Sequence, residues 1–162
     1  MSFISHVSAP AELPAPVAVC CHDAGAANLI AAWIGADDAS RYHVCAQGPA
    51  AVIFARTLPS VGLVDEREAL RGAACLLSGT GWGGDVEHRA RQSARQLGIP
   101  SFAVLDHWVN YRMRFERGGQ QSLPDALVVT DAAARDIAAA DFPGLPVRVW
   151  ENRYLLNEVE QV

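Results

Sequence analysis

The sequence has no lysine. All thirteen of its basic residues are arginine, and that absence removes several chemistries. A P-loop needs a lysine against its phosphates, a Schiff base needs an amine, and a protein kinase needs its strand lysine. No apolar run approaches the roughly 18 residues of a membrane-spanning helix. CxxC, HxH and HExxH spacings are all missing, so zinc ribbons, thioredoxin motifs and zincin sites are excluded. A net charge of −5 argues against a nucleic-acid surface. The first sixteen residues lack a basic n-region and hold three prolines, which reads as a loose leader and not as a signal peptide.

What is there fits one domain. The chain has 162 residues, 51% of them hydrophobic and 19% charged, enough for a hydrophobic core. Short apolar runs alternate with amphipathic stretches. Strands are expected at Val17–Cys21, Tyr42–Ala46, Ala73–Leu77, Ser101–Leu105, Ala126–Thr130 and Pro146–Trp150, with a short one at Val61–Val64. Helices are expected at Ala24–Ile34, Pro49–Leu58, Glu66–Leu70, Asp85–Leu97 and Ala132–Ala140. In the fourth, Val86, Ala90, Ala94 and Leu97 line one face, and Asp85–Arg89 and Glu87–Arg91 form i,i+4 pairs. Alternation of this kind predicts βαβ units and a mostly parallel, doubly wound, three-layer Rossmann-like sheet. The domain is expected over residues 17–155, after a leader at 1–16 and before a polar or irregular tail at 156–162. The runs at 17–21, 73–77 and 101–105 are unbroken enough to be central strands. Two stretches break the rhythm: aromatic, arginine-rich Trp108–Phe115, and the polar loop Glu116–Pro124.

Cys20, Cys21, Cys45 and Cys75 all fall inside apolar runs. Buried free thiols fit a reducing compartment, so a cytoplasmic location is expected.

Ligands of such sheets bind at the carboxyl ends of the strands, so the residues after each run are the candidates. The first loop, His22 to Asn28, puts His22 and Asp23 at a strand end and opens a helix. Gly25 lets a ligand approach the backbone, although this loop carries no GxGxxG. The bland alternative is that His22 and Asp23 only cap the helix. The second loop, Ser78 to Asp85, holds Gly79, Gly81, Gly83 and Gly84 with the hydroxyls of Ser78 and Thr80 and the indole of Trp82. Successive N–H groups there suit an anion nest, and Glu87 and His88 follow in the first helical turn. In the third loop Asp106 and His107 precede Trp108, Asn110, Tyr111 and Arg112. That set suits a sugar or base by stacking and hydrogen bonding, with Arg112 as a phosphate clamp. A buried aromatic cluster is the plainer reading. His22, His88 and His107 with Asp23 and Asp106 lack metal-ligand spacing, so neither a metal nor a cofactor is expected. Ser78 lacks a nucleophile elbow.

The order of these loops resembles the N-terminal Rossmann-like half of GT-B-type glycosyltransferases and of non-hydrolysing UDP-N-acetylglucosamine 2-epimerases. The likeness spans roughly residues 17–155. It rests on the small-residue loop His22–Asn28, the glycine-rich loop Ser78–Asp85, the strand running into Asp106-His107, and Ala126–Thr130 followed by Asp131. It implies processing of a sugar, sugar phosphate or nucleotide sugar; of the catalytic candidates His22, Asp23, Asp106 and His107, the titration range of histidine and of a tuned carboxylate suits His22, Asp106 or His107 to act as acid or base. Such enzymes have two halves, with the nucleotide held mostly by the second. The single half here implies a partner subunit or self-association, and Asn152 lies where an interdomain linker would begin. A non-catalytic binding subunit and a small hydrolase or phosphatase using Asp23 or Asp106 are the rival readings.

Overall fold

The computed structural model describes residues 9–162. The expected leader at 1–16 therefore lies partly outside the described residues. The rest of it is packed: Leu13 is buried, and Glu12 pairs with Arg148 and accepts from the Trp150 indole.

The chain runs β1 (Val17–Cys21), α1 (Ala24–Gly35), β2 (Tyr42–Ala46), α2 (Pro49–Thr57), α3 (Glu66–Leu70), β3 (Cys75–Ser78) and α4 (Val86–Leu97). It continues through β4 (Ser101–Val104), a 3-10 turn at Arg112–Phe115, and the hairpin β5 (Glu116–Arg117) and β6 (Gln120–Gln121). Then come β7 (Ala126–Val129), α5 (Ala132–Asp141), β8 (Val147–Val149) and α6 (Arg153–Glu160). Six strands form one all-parallel sheet in the order β2-β1-β3-β4-β7-β8. The expected strand at Val61–Val64 is reduced to one parallel bridge, Val44 to Leu63, outside β2. Counting that bridge, the order is that of a doubly wound nucleotide-binding sheet extended by a strand, and it reverses between β1 and β3.

The apolar runs explain this arrangement. β1, β3, β4 and β7 are buried at every position, as strands covered on both faces must be. Alternate side chains feed opposite layers. Val17, Val19 and Cys21 meet α1 and α2, whereas Ala18 and Cys20 face α3 and α4. Leu105, Leu127 and Val129 build a third cluster with α5 and Phe115. All four cysteines are buried and free. The three runs expected to be central occupy interior positions.

Several local expectations are corrected. Asp85 pairs with Arg117, Arg89 with Glu66, and Arg91 turns inward, so neither i,i+4 pair forms on α4. Leu97, the last residue of α4, is exposed and does not join the buried face of Val86, Ala90 and Ala94. The polar loop after Phe115 is a hairpin. The expected irregular tail is helix α6, capped by Asn152, whose Oδ1 accepts from Leu155 N at 2.9 Å.

Candidate functional site

Parallel register brings the ends of β1, β3 and β4 to one edge of the sheet. Val17–Cys20 pair with Cys75–Ser78, and Leu76–Ser78 with Ser101–Ala103. His22 and Asp23 therefore leave beside Gly79, with only β3 between them and the strand that leads to Asp106.

Asp23 is N-terminal to α1, yet its side chain makes no cap bond. It accepts instead from His22 Nδ1 at 2.8 Å through Oδ1, and from Trp82 N at 3.1 Å through Oδ2. The capping alternative is thus not what this residue does. The carboxylate requires a donor at Nδ1, which leaves Nε2 to act as the acceptor in the neutral ring. Nε2 has no hydrogen-bond partner among the described residues. The ring sits in a cradle of Gly48, Gly83 and Gly84: a Cβ on any of them would approach it within 2.6–2.9 Å. A histidine held by a carboxylate on one nitrogen and without a partner on the other has the form of an oriented acid or base.

Asp106 joins this group from β4. Its carboxylate fills the space beside Gly25 at the start of α1, where a Cβ would overlap it. Arg114 Nη1 donates to Asp106 Oδ1 at 2.8 Å and to Thr80 Oγ1 at 3.2 Å. Thr80 in turn donates to Val104 O at 2.8 Å. His107 is mostly exposed, and its Nε2 lies 3.6 Å from Asp106 Oδ2, an ion-pair distance only. Both His107 and Asn110 have positive φ, +61° and +58°, a backbone state uncommon outside glycine.

The glycine-rich loop behaves differently from an open nest. Gly79-Thr80-Gly81-Trp82-Gly83-Gly84 has G-x-G-x-x-G spacing between a strand and a helix, a signal for phosphate. Three of its six amides are bonded within the protein. Gly81 N donates to Glu87 Oε1 at 2.7 Å, Trp82 N to Asp23, and Gly79 N to Cys20 O. Ser78 and Thr80 are buried, with their hydroxyls bonded to protein: Ser78 Oγ accepts from Arg91. Burial pushes the Glu87 carboxyl up from its ordinary range, against the bonds from Gly81 and His22 and the charge of Arg91.

Other expected residues lie elsewhere. Arg112 is exposed and pairs with Asp141, away from the loops. Tyr111 is buried, its hydroxyl donating to His107 O; burial pushes its pKa up to about 12. His88 is buried against Ser122 of the insertion, and its Nδ1 has no partner. Asn28 lines a cavity of about 380 Å³ between α1, α2 and α6. Three arginines that the sequence does not mark as site residues hold these loops. Arg114 holds Asp106, Arg117 donates to Gly81 O, and Arg91 bridges Gly79 O and Ser122 O at 2.9 and 2.8 Å.

Beside Asp106 the edge opens into a cavity of about 480 Å³, lined by His107, Trp108, Val109, Thr130, Asp131 and Asn152 among others. The Trp108 indole is exposed and donates to Asp131 Oδ2 at 3.1 Å, while Asp131 Oδ1 caps α5. No arginine lines this cavity. A larger hollow of about 620 Å³ lies between α3 and α4, among Gln47, Asp65, Glu66, Arg67 and Arg71; it is a charged trough that neither His22 nor Asp23 lines. Among the described residues no cluster of three or more His, Cys, Asp or Glu side chains could hold a metal. Compared with known protein families, curated proteins and solved structures, the chain matches none.

Proposed function

We propose that this domain binds a hydroxyl-rich small molecule of the sugar type at the carboxyl edge of its sheet and processes it by acid–base chemistry. The observation that carries the reading is the oriented His22–Asp23 pair, on the same sheet edge as Asp106 two strands away and as the 480 Å³ cavity, which His107 and not the pair itself lines. That volume suits a small ligand. Trp108 offers an exposed aromatic face for a sugar ring, and Asp131, Thr130 and Asn152 offer polar atoms at its rim. His22 would take or give the proton through Nε2. The resemblance to GT-B and epimerase halves points to the same substrate class. Charge narrows it: the cavity has one carboxylate, Asp131, and no arginine, and the Gly81 and Trp82 amides of the glycine-rich loop already face carboxylates. An uncharged sugar moiety therefore suits this edge better than a phosphate.

The second reading, a non-catalytic subunit completing a partner, is favoured by exposed apolar groups around the edge. Trp82, Trp108, Val109 and Met113 are all more than half or nearly half exposed. Self-association or a partner subunit would cover them. The four buried free thiols suit a reducing compartment, such as the cytoplasm, and no described helix is long and apolar enough to cross a membrane.

Calorimetry with free sugars, sugar phosphates and nucleotide sugars tests both readings. The expectation is binding that Trp108→Ala abolishes, and turnover that His22→Ala lowers about 100-fold or more with binding retained. Binding without turnover, weakened by His22→Ala, selects the subunit reading. Absence of binding to all three classes overturns both.

A further inference from the structure

We propose that Glu87 is the positioning residue of the His22–Asp23 pair: an anion carried by the protein's own helix, which fills the glycine-rich loop and fixes the backbone from which the imidazole projects. This rests on the reading of His22 as the acid–base group.

Glu87 lies in the first turn of α4, where a carboxylate normally faces water or caps its own helix. Here it is 1% exposed. Its two oxygens take N–H groups from two strand ends, Gly81 N at 2.7 Å and His22 N at 3.3 Å. A Cβ on Gly79 would overlap its Oε2, so Gly79 is the residue that makes room for it. The bonded N–H groups lie on either side of the point where the sheet reverses order. Each belongs to the machinery: one is the backbone of His22, the other precedes Trp82, whose N–H holds Asp23. One side chain thus sets both members of the pair without touching either ring or carboxylate of that pair.

The groups facing Glu87 are Cys21 at the end of β1, Asp23 in the loop after it, and Arg91 one turn on along α4. Arg91 is held to Ser78 Oγ and Gly79 O, so its charge is fixed beside the carboxylate. Two backbone donors require two acceptors, which only the ionised carboxylate supplies. A glutamine offers one acceptor and turns an NH2 against the other N–H.

Nuclear magnetic resonance tests this on the intact chain. In the wild type, the His22 Nδ1 proton should give a low-field resonance. The amide protons of His22 and Gly81 should move together as Glu87 titrates, with a common midpoint above 4.5. In Glu87→Gln the Nδ1 proton should lose that resonance or exchange at least about ten-fold faster, while α4 amides stay protected. A folded Glu87→Gln protein with the Nδ1 resonance unchanged overturns the proposal. If that variant does not fold, the wild-type titration decides: His22 and Gly81 amides that titrate at unrelated midpoints, or not at all, overturn it. Response of the resonance in a protein that shows no turnover on any sugar leaves the positioning role intact and removes the acid–base reading.

Discussion

Gly81 has a carboxylate where a side chain would go. A Cβ there overlaps the Asp23 carboxyl group, so Gly81→Val drives out the group that orients His22. The expected outcome is loss of the His22–Asp23 bond and a destabilisation of about 1–3 kcal/mol, as for other overpacked sites, measured by urea denaturation alongside ligand binding. The sequence shows this glycine plainly, together with His22, Asp23 and Asp106, because strand ends of a parallel sheet are where polar residues stand out. It does not show what the glycine is for. Four glycines after a strand suggest an open phosphate loop, and only the fold reveals that Glu87 and Asp23 already take the Gly81 and Trp82 amides. The arginines were mis-sorted for the same reason. Arg112 and Arg114 are alike in a string of letters, but a 3-10 turn sends one to solvent and the other to Asp106.

At the scale of elements, the insertion between β4 and β7 is bolted to the loops by Arg91, Arg114 and Arg117. Arg91 is the deepest: burial pulls its pKa down to about 10, opposed by Glu87, and its guanidinium stacks 5.0 Å from the Phe115 ring centroid. Arg91→Leu strands the carbonyls of Gly79 and Ser122 and leaves Glu87 without its cation. The expected cost is about 3 kcal/mol or more, with earlier hydrogen exchange over residues 116–122 as the local sign. The periodicity of α4 was legible in Val86, Ala90 and Ala94. Glu87 and Arg91, one position on from Val86 and Ala90, read as an i,i+4 pair with Glu87 also in reach of a ligand, because burial of charge cannot be seen until the hairpin lies over them. The strands were legible almost residue by residue, since unbroken apolar runs have few other uses at that length. α6 was not, for its apolar residues point away from the domain.

For the whole molecule, two buried groups give stability opposite slopes in pH. Burial and the charges of Arg91 and Arg117 lower the His88 pKa below 6.5. Its contribution is complete above 6.5 and is lost as pH falls through the folded value. The Glu87 pKa is raised above 4.5, so its contribution is complete below 4.5 and is lost as pH rises through the folded value. Urea midpoints measured from about pH 4 to 8 should show both limbs. His88→Gln should flatten the fall on the acid side, and a curve unchanged by it would assign that limb to other groups. The parallel sheet and its central strands followed from βαβ alternation and unbroken apolar runs, whereas the bridge at Leu63 did not become a strand because Val64 N alone reaches β2, at Val44 O.

α6 lies against the domain with Tyr154, Asn157, Glu158 and Gln161 toward a polar wall of Asn28, Arg56 and Thr57. None of its residues is buried, and Leu155 and Val159 are among the most exposed apolar side chains. A helix seated this way has little apolar area to lose on leaving. Its opening free energy is set by the Asn152 cap and the bond from the Trp33 indole to Glu151 O, not by the core. It is a foldon of its own, detachable while the sheet stays closed. Amides of residues 153–160 should therefore exchange orders of magnitude sooner than those of β3, and they should do so without any change in the global midpoint.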